Sequence, residues 1–165
     1  MRKFPFILML LLLQAKAAEI PNFPTPEGFE STQTPSDAKM SFISSETKKD
    51  ERPSTIFIHI IDEPYNPDFT KKSDIQTTFT EETKRLLISQ GRLKVKFIST
   101  RTFSKGTEFQ FEYQESKDRQ RIVKNSLLFF PKDKTHSYYI DLASPNKKHS
   151  ENLAALKKSL EGVLK

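Results

Sequence analysis

The order of apolar patterns along the chain predicts an α+β fold, an antiparallel sheet of about six to seven strands packed with two helices. Phe109, Phe111 and Tyr113 alternate with polar residues at the period of a strand. Residues 73–90 and 151–164 instead show helical periodicity. Four strand-like segments separate these helices without a crossover helix, which favours antiparallel pairing. A helix on each face of the sheet, or both helices on one face, would bury every apolar stripe.

The N-terminus has the pattern of a secretory signal peptide spanning residues 1–17. Arg2 and Lys3 precede an apolar run over residues 4–13, and Ala15 and Ala17 give a small-x-small cleavage pattern. The run is shorter than the roughly 20 residues of a membrane-spanning helix. No cysteine follows it, which excludes a lipobox. We expect a periplasmic or secreted protein without a membrane span; a buried N-terminal helix is the alternative.

Cleavage after residue 17 would leave 148 of the 165 residues, enough for one domain with a real core. It would also remove three of the positive charges that make up the net charge of +6, leaving +3. Such a small excess is weak evidence for nucleic acid or anionic lipid as a partner. The absence of cysteine excludes disulfides and thiolate chemistry.

The segment before the domain is rich in proline. Residues 18–35 include Pro21, Pro24, Pro26 and Pro35 and predict an extended lead-in, because proline lacks the amide donor of a helix. We therefore expect a single domain over residues 36–165.

Two strands and a helix follow the lead-in. Residues 40–45 predict a short strand, and residues 54–61, apolar on both alternating faces, predict a central strand after a charged loop. Ser73 and Asp74 predict the cap of a helix that ends at Gln90, with a glycine next. Its expected inner stripe consists of Ile75, Phe79, Leu86, Leu87, Ile88 and Thr83.

Four strands and a closing helix complete the chain. They are predicted at residues 93–97, around 109–113, at 121–130 and at 137–143, with turns near 104–106, 116–119 and 131–135. Ser150 is expected to cap the last helix, whose apolar face is formed by Leu153, Leu156, Leu160 and Val163.

This order of elements resembles the PsbP-like and DcrB-like family of small exported proteins. The features that carry the resemblance are Pro26-Glu-Gly28-Phe29 at the start of the first strand, the hairpin of Met40-Ser-Phe42 and Ile56-Phe-Ile58, and Tyr138-Tyr-Ile140 followed by the last helix. It spans nearly the whole mature chain. These motifs describe packing and turns and have no diagnostic chemistry.

The resemblance implies an α/β/α sandwich with an accessory or binding role. Family members mostly have no established catalytic centre, and PsbP itself supports calcium and chloride retention at the oxygen-evolving complex. No stretch of this chain matches an ion-binding motif of that family, so no ion-binding residue is carried over.

A hydrolase is the enzymatic alternative, because the stretch HSYYIDLASPNKKHSEN contains serine, histidine and aspartate. The chain has four glycines and lacks the G-x-S-x-G elbow that exposes a nucleophilic serine. Asp141 is predicted to point away from the face of Ile140 and Leu142, and Ser150 is expected to be a helix cap. We therefore expect no catalytic residues, although a site assembled from separated residues stays open.

Neither the histidines nor the acidic loop has the spacing of a metal site. His59, His136 and His149 form no H-x-x-x-H or H-E-x-x-H pair. The loop DEPYNPD lacks the ligand spacing of a calcium loop. We expect no metal or other cofactor.

Two regions are predicted to bind a partner, which we expect to be another envelope protein. One is the loop after the central strand, with the contact residues Asp62, Tyr65, Asp68 and Phe69. The other is a mixed-charge sheet edge with Lys94 and Lys96. A non-enzymatic accessory or binding protein is the favoured interpretation. A small-ligand or lipid binder, with its ligand between sheet and helix, is the alternative.

Overall fold

The structure, a computed structural model, describes most of the predicted domain. The signal-like segment and the predicted loop at residues 62–70 lie outside the described residues. The described ranges are 23–45, 52–61, 74–103, 105–115, 121–132 and 134–163.

Within the described ranges, seven strands and two α-helices follow one another in the predicted order, and the first strand lies in the segment predicted as a lead-in. They are β1 (Phe29–Ser31), β2 (Met40–Ser44), β3 (Thr55–Ile61), α1 (Asp74–Ser89), β4 (Leu93–Phe103), β5 (Gly106–Gln114), β6 (Ile122–Pro131), β7 (Ser137–Pro145) and α2 (His149–Val163), with a 3₁₀ turn at Asn146–Lys148 before α2.

All seven strands form one antiparallel sheet in the order β1-β2-β3-β7-β6-β5-β4. The last strand of the chain, β7, pairs with β3, so that Ile140 lies opposite Ile58. This pairing joins the N-terminal hairpin to the four C-terminal strands. The predicted fold class, an antiparallel α+β sheet with two helices, is confirmed.

One face of the sheet, which we call the α2 face, packs against α2. Ile56, Ile58 and Leu128 lie in its core with β7 residues Ile140 and Leu142, and all five are almost completely buried. Leucines on α2 complete this core, namely Leu153, Leu156 and Leu160. Burial of each such side chain contributes about 2 kcal/mol.

The opposite face, the α1 face, packs against α1. Phe109, Leu127 and Phe129 form its core together with Phe111, and Phe79 of α1 lies with its ring centroid 4.7 Å from that of Phe109. Successive residues such as Leu127 and Leu128 therefore enter different cores, as the period of a strand requires. Of the two arrangements that the sequence left open, the structure has one helix on each face.

The structure of α1 confirms the predicted end of this helix and corrects its predicted buried face. Gly91 has φ of 80°, and the amides of Gly91 and Arg92 bond to the carbonyls of Ile88 and Leu87 at 2.9 and 3.0 Å. These two bonds form a Schellman motif that ends the helix at the predicted glycine. The inner stripe was predicted too broadly, because Leu86 and Ile88 are 42% and 57% exposed.

The buried face of α1 is centred on threonines instead. Thr80 and Thr83 are buried, and Phe79 and Leu87 pack against the sheet core on either side of Thr83 along the helix. Residues 79, 83 and 87 are four apart and share one face, so Leu86 falls at its margin.

The predicted capping role of Ser150 is wrong. The 3₁₀ turn leads directly into α2, and His149 already has helical angles while its amide bonds to the carbonyl of Asn146. The chain is thus helical one residue before Ser150, which is exposed.

The proline-rich lead-in contributes to the sheet. Gly28 has φ of 79° in a turn in which the amide of Phe29 bonds to the carbonyl of Pro26 at 3.1 Å. This turn starts β1, and the side chains of Phe23 and Phe29 are buried in the α2-face core. The ordered sheet therefore begins within residues 18–35.

Candidate functional site

The predicted contact residues fall in two groups. Asp62, Tyr65, Asp68 and Phe69 lie outside the described residues, so their role remains a prediction. Lys94 and Lys96 are exposed on β4, a strand at one edge of the sheet, and their role in a contact remains a prediction.

β4 is the longest of the described strands, with 11 residues. Its inner side pairs with β5, and within the described ranges no strand pairs with its outer side. An edge strand presents unpaired amide and carbonyl groups that can hydrogen bond to another extended chain. The edge is therefore suited to protein contact.

Two irregularities shape this edge. Pairing with β5 shifts between Leu93 and Lys96 and again between Phe97 and Ser99, which identifies two β-bulges. Lys94 lies in the first bulge with φ of 51°, a left-handed conformation that costs a non-glycine residue about 1 kcal/mol. Bulges increase the local twist and redirect side chains at sheet edges.

Large apolar side chains are exposed at the centre of β4. Phe97 is 37% and Ile98 is 44% exposed, and the ring of Phe97 lies 5.5 Å from that of Phe111. We call Lys94, Lys96, Phe97 and Ile98 together the β4 edge surface. Exposed apolar groups beside unpaired backbone groups are typical of an interaction site.

The charges of β4 are all positive. The strand contains Lys94, Lys96 and Arg101 and no acidic residue. Lys96 lies opposite Glu112, which lies opposite Lys124 on β6, so these three charges form one row across the sheet. The predicted mixed-charge sheet face is present, but Lys94 lies in the bulge, outside this register.

A buried polar network lies on the α2 face. The hydroxyl of Ser126 donates to Glu108 Oε1 at 2.6 Å and lies 2.8 Å from His149 Nε2. His149 Nδ1 lies 2.8 Å from the hydroxyl of Ser144, and Lys157 Nζ donates to Glu108 Oε2 at 3.2 Å. Four elements, β5, β6, β7 and α2, each contribute to this network.

The hydrogens of this network can be assigned from its acceptors. Ser126 has one hydrogen, which it donates to Glu108, so His149 Nε2 donates to the Ser126 oxygen. His149 Nδ1 then accepts from Ser144, and the imidazole is neutral. Burial lowers the pKa of His149 to about 4, while the charge of Glu108 opposes this shift.

The network differs from a catalytic triad in its order and its accessibility. A triad places histidine between the carboxylate and the nucleophile, whereas here Ser126 lies between Glu108 and His149. Glu108, Ser126, Ser144 and His149 are each at most 1% exposed, so no substrate reaches them in this conformation. The geometry supports a role in attaching the first turn of α2 to the sheet.

Sequence reasoning missed this network. The alternation in β5 predicted a polar outer face that includes Glu108, but α2 covers the Glu108 end of that face. His149 was interpreted only as a residue before a helix. No local signal identifies the network, because its members are up to 49 residues apart in sequence.

The three histidines do not converge. His149 lies on the α2 face, His59 pairs with Tyr139 on the α1 face, and His136 Nδ1 lies 2.9 Å from the hydroxyl of its neighbour Thr135. Among the described residues, no group of three or more histidine, cysteine, aspartate or glutamate side chains could hold a metal ion.

Asp141, the aspartate of the stretch HSYYIDLASPNKKHSEN, lies on the α1 face, away from the face of Ile140 and Leu142 as predicted. It is paired with Phe57 and Leu127 on the neighbouring strands and accepts a hydrogen bond from Asn125. Burial raises the pKa of Asp141, partly offset by this hydrogen bond. The apparent serine–histidine–aspartate set is thus divided between the two faces.

In the part of the chain that the structure describes, no helix is long and apolar enough to cross a membrane. No family model and no curated protein matches the chain.

Solved structures do match. One is LpqN, a protein involved in cell envelope biogenesis of Mycobacterium tuberculosis, with 11% identity, TM-score 0.47, and coverage of 87% of this chain and 78% of LpqN. Another is the cyanobacterial PsbP, CyanoP, from Synechocystis sp. PCC 6803, with 14% identity, TM-score 0.48, and coverage of 82% of this chain and 81% of CyanoP. A PsbP is thus among the matches.

Proposed function

We propose that the protein is a non-enzymatic accessory or binding module of the cell envelope that binds an extended segment of another protein along β4. The observation that carries the proposal is the β4 edge surface. It combines an unpaired strand edge, exposed Phe97 and Ile98, and cationic Lys94 and Lys96. The signal-like N-terminus supports an exported location.

Strand addition explains these features together. The backbone of the partner would bond to the outer amides and carbonyls of β4, and its alternate side chains would contact Phe97 and Ile98. The positive charge of β4 favours an acidic partner, because complementary charge speeds association and fixes register.

The same charges disfavour association of β4 with a second copy of itself. Antiparallel pairing of two β4 strands would place cations near cations, since the strand has no acidic residue. Lysines and bulges are also known devices against edge-to-edge aggregation. The edge is therefore selective for a partner of opposite charge.

A binding role also fits the internal chemistry. Glu108 and His149, the buried titratable groups of the network on the α2 face, have hydrogen-bond partners within that network. We propose that this network is structural and that the protein has no catalytic activity. The loop residues Tyr65 and Phe69 are proposed as a second contact region.

A synthetic peptide of alternating glutamate and valine tests the edge directly. We expect it to shift the backbone amide NMR signals of β4, and a lysine–valine peptide to bind more weakly. Lys96→Glu should weaken binding of the acidic peptide by about threefold to tenfold, and added salt should weaken it further. Lys147→Glu is the matched control, because Lys147 is an exposed lysine on the 3₁₀ turn before α2. Equal loss in both variants, or equal binding of both peptides, contradicts the proposal.

Crosslinking in the native cell envelope tests the partner contacts. A photoreactive residue at Ile98 should capture a specific protein, whereas one at the exposed Ala154 of α2 should not. Tyr65→Ala and Phe69→Ala examine the loop in the same assay. If both variants recover the same partners as the wild type, the loop is not a contact region.

A further inference from the structure

The α1 face carries a carboxylate among aromatic side chains, far along the sheet from β4. Asp141 lies on β7, and its cross-strand neighbours are Phe57 on β3 and Leu127 on β6. Tyr139 precedes it by two residues on the same face, opposite His59. β7 and β4 are separated by two strands, so this region is distinct from the β4 edge surface.

One of the two carboxylate oxygens of Asp141 has a hydrogen-bond partner within the fold. The amide of Asn125, a buried residue, donates to Oδ1, whereas Oδ2 has no hydrogen bond to any residue that the structure describes. Asp141 as a residue is partly exposed. Burial raises the pKa of Asp141, which means that its charged form is poorly solvated here. A charge in such a place is typical of functional sites.

His59 offers a second hydrogen-bond acceptor. Its Nδ1 lies 2.8 Å from the backbone carbonyl of Asp37, and a carbonyl only accepts, so Nδ1 carries the hydrogen. In the neutral ring, Nε2 then has a free lone pair. The rings of His59 and Tyr139 lie 5.3 Å apart, and that of Phe129 lies 5.0 Å from Tyr139.

The arginines near this face are already engaged. His59, Arg52 and Arg92 each lower the pKa of Asp141, but Arg52 forms an ion pair with Glu115 and Arg92 lies 3.8 Å from the same carboxylate. The guanidinium of Arg92 also lies 5.1 Å from the ring centroid of Tyr113. Neither arginine has a direct hydrogen bond to Asp141 among the described contacts.

We propose that Phe57, His59, Tyr139 and Asp141 form a binding site for an alkylammonium cation. The ammonium group donates hydrogen bonds to Asp141 Oδ2 and His59 Nε2, and the aromatic rings surround the alkyl stem and stabilise the positive charge. An anionic ligand would be repelled by Asp141, and an apolar ligand would leave its charge uncompensated.

Titration with n-butylammonium chloride, followed by NMR, tests this site. We expect shifts at the four site residues and a fall in the pKa of Asp141, because the bound cation favours the carboxylate. 1-Butanol, a neutral molecule of similar size, should bind at least about tenfold more weakly than n-butylammonium. Asp141→Asn should reduce n-butylammonium binding by a similar factor, because it removes the charge and keeps the shape.

Glu161→Gln is the matched control, since Glu161 is an exposed carboxylate on α2, on the other side of the sheet. It should bind n-butylammonium as the wild type does, and circular dichroism should show that both variants are folded. The proposal is overturned if the wild type shows no shifts at these residues, if Asp141→Asn binds equally well, or if 1-butanol binds as tightly as n-butylammonium. Lys96→Glu should leave this binding unchanged, which separates the site from the β4 edge surface.

Discussion

His149 shows how one buried side chain can make stability depend on pH. It is neutral between two serine hydroxyls, and its protonation would require a donor where Ser144 now donates. Glu108 is close enough to favour the charged form, but the loss of solvation outweighs this attraction. The hydrogen bonds of His149 therefore specify its neutral state.

We expect stability to fall as the pH decreases from about 6.5 towards 4. The pKa of His149 is about 4 in the folded protein against 6.5 for an ordinary histidine. The unfolded chain therefore binds a proton in this window that the folded protein does not. The contribution of neutral His149 is complete above pH 6.5 and decreases by about 3 kcal/mol towards pH 4.

Urea unfolding of the wild type and His149→Gln across this window measures the effect. The free energy of unfolding should fall more steeply with decreasing pH in the wild type than in His149→Gln. The difference in slope should correspond to the uptake of about one proton on unfolding. Asp141 acts in the opposite direction, because its raised pKa favours the protonated folded state at low pH, but it is common to both proteins. Equal slopes in the two proteins would show that His149 does not titrate as described.

At the scale of single elements, the sequence pattern of α1 and β4 predicted the type of each element correctly. It did not predict which of their apolar side chains are exposed. Both elements were predicted, although β4 continues to Phe103, beyond the predicted residues 93–97. The helix is rotated so that Thr83 faces the sheet and Leu86 lies at its margin. β4 contains two bulges that no alternation of residues revealed, and these place Ile98 on the surface.

The rotation of α1 predicts opposite outcomes for two adjacent leucines. Leu87→Ala should destabilise the protein by about 2 kcal/mol, because Leu87 packs against the α1-face core and against a second buried cluster. This second cluster consists of Tyr113, Val123 and Ala143. Leu86→Ala should change stability by no more than about 0.5 kcal/mol, since its side chain is largely exposed. Thermal and urea unfolding measure both. A larger loss of stability for Leu86→Ala would show that Leu86 belongs to the buried face of α1, as the sequence predicted.

At the scale of the whole molecule, the pairing of β3 with β7 unites the sheet. These strands are about 80 residues apart in the chain and have seven register pairs, including Ile58 with Ile140. α2 covers this junction with Leu153, Leu156 and Leu160. Among the described residues, no other strand pairing joins β1, β2 and β3 to the C-terminal strands.

Ile140→Ala should therefore affect the molecule as a unit. Ile140 is fully buried, and we expect a loss of about 2 to 5 kcal/mol. Hydrogen exchange should accelerate together in β3 and β6, which flank β7. Exchange that accelerates in β3 alone would indicate that the hairpin opens independently and that the sheet is not one cooperative unit.

The amino-acid sequence alone predicted the type and order of most elements, because each depends on local periodicity and turn residues, whereas β1 lies in a segment predicted as an extended lead-in. The strands around Phe109 and Ile58, the glycine that ends α1 and the apolar face of α2 were all identified this way. The strand that contains Lys94 and Lys96 was identified by the same reasoning. The assignments of Ser150 and Leu86 failed because a one-residue shift in a helix changes which side chain is covered.

Only the tertiary structure decided which strands are neighbours, which helix covers which face, and which polar residues meet. The network of Glu108, Ser126, Ser144 and His149 and the grouping of Phe57, His59, Tyr139 and Asp141 each combine distant segments of the chain. Their members become neighbours through the pairing of β3, β7, β6 and β5 and the docking of α2. Local pattern fixes the direction of a side chain within its element, whereas its partners depend on non-local packing.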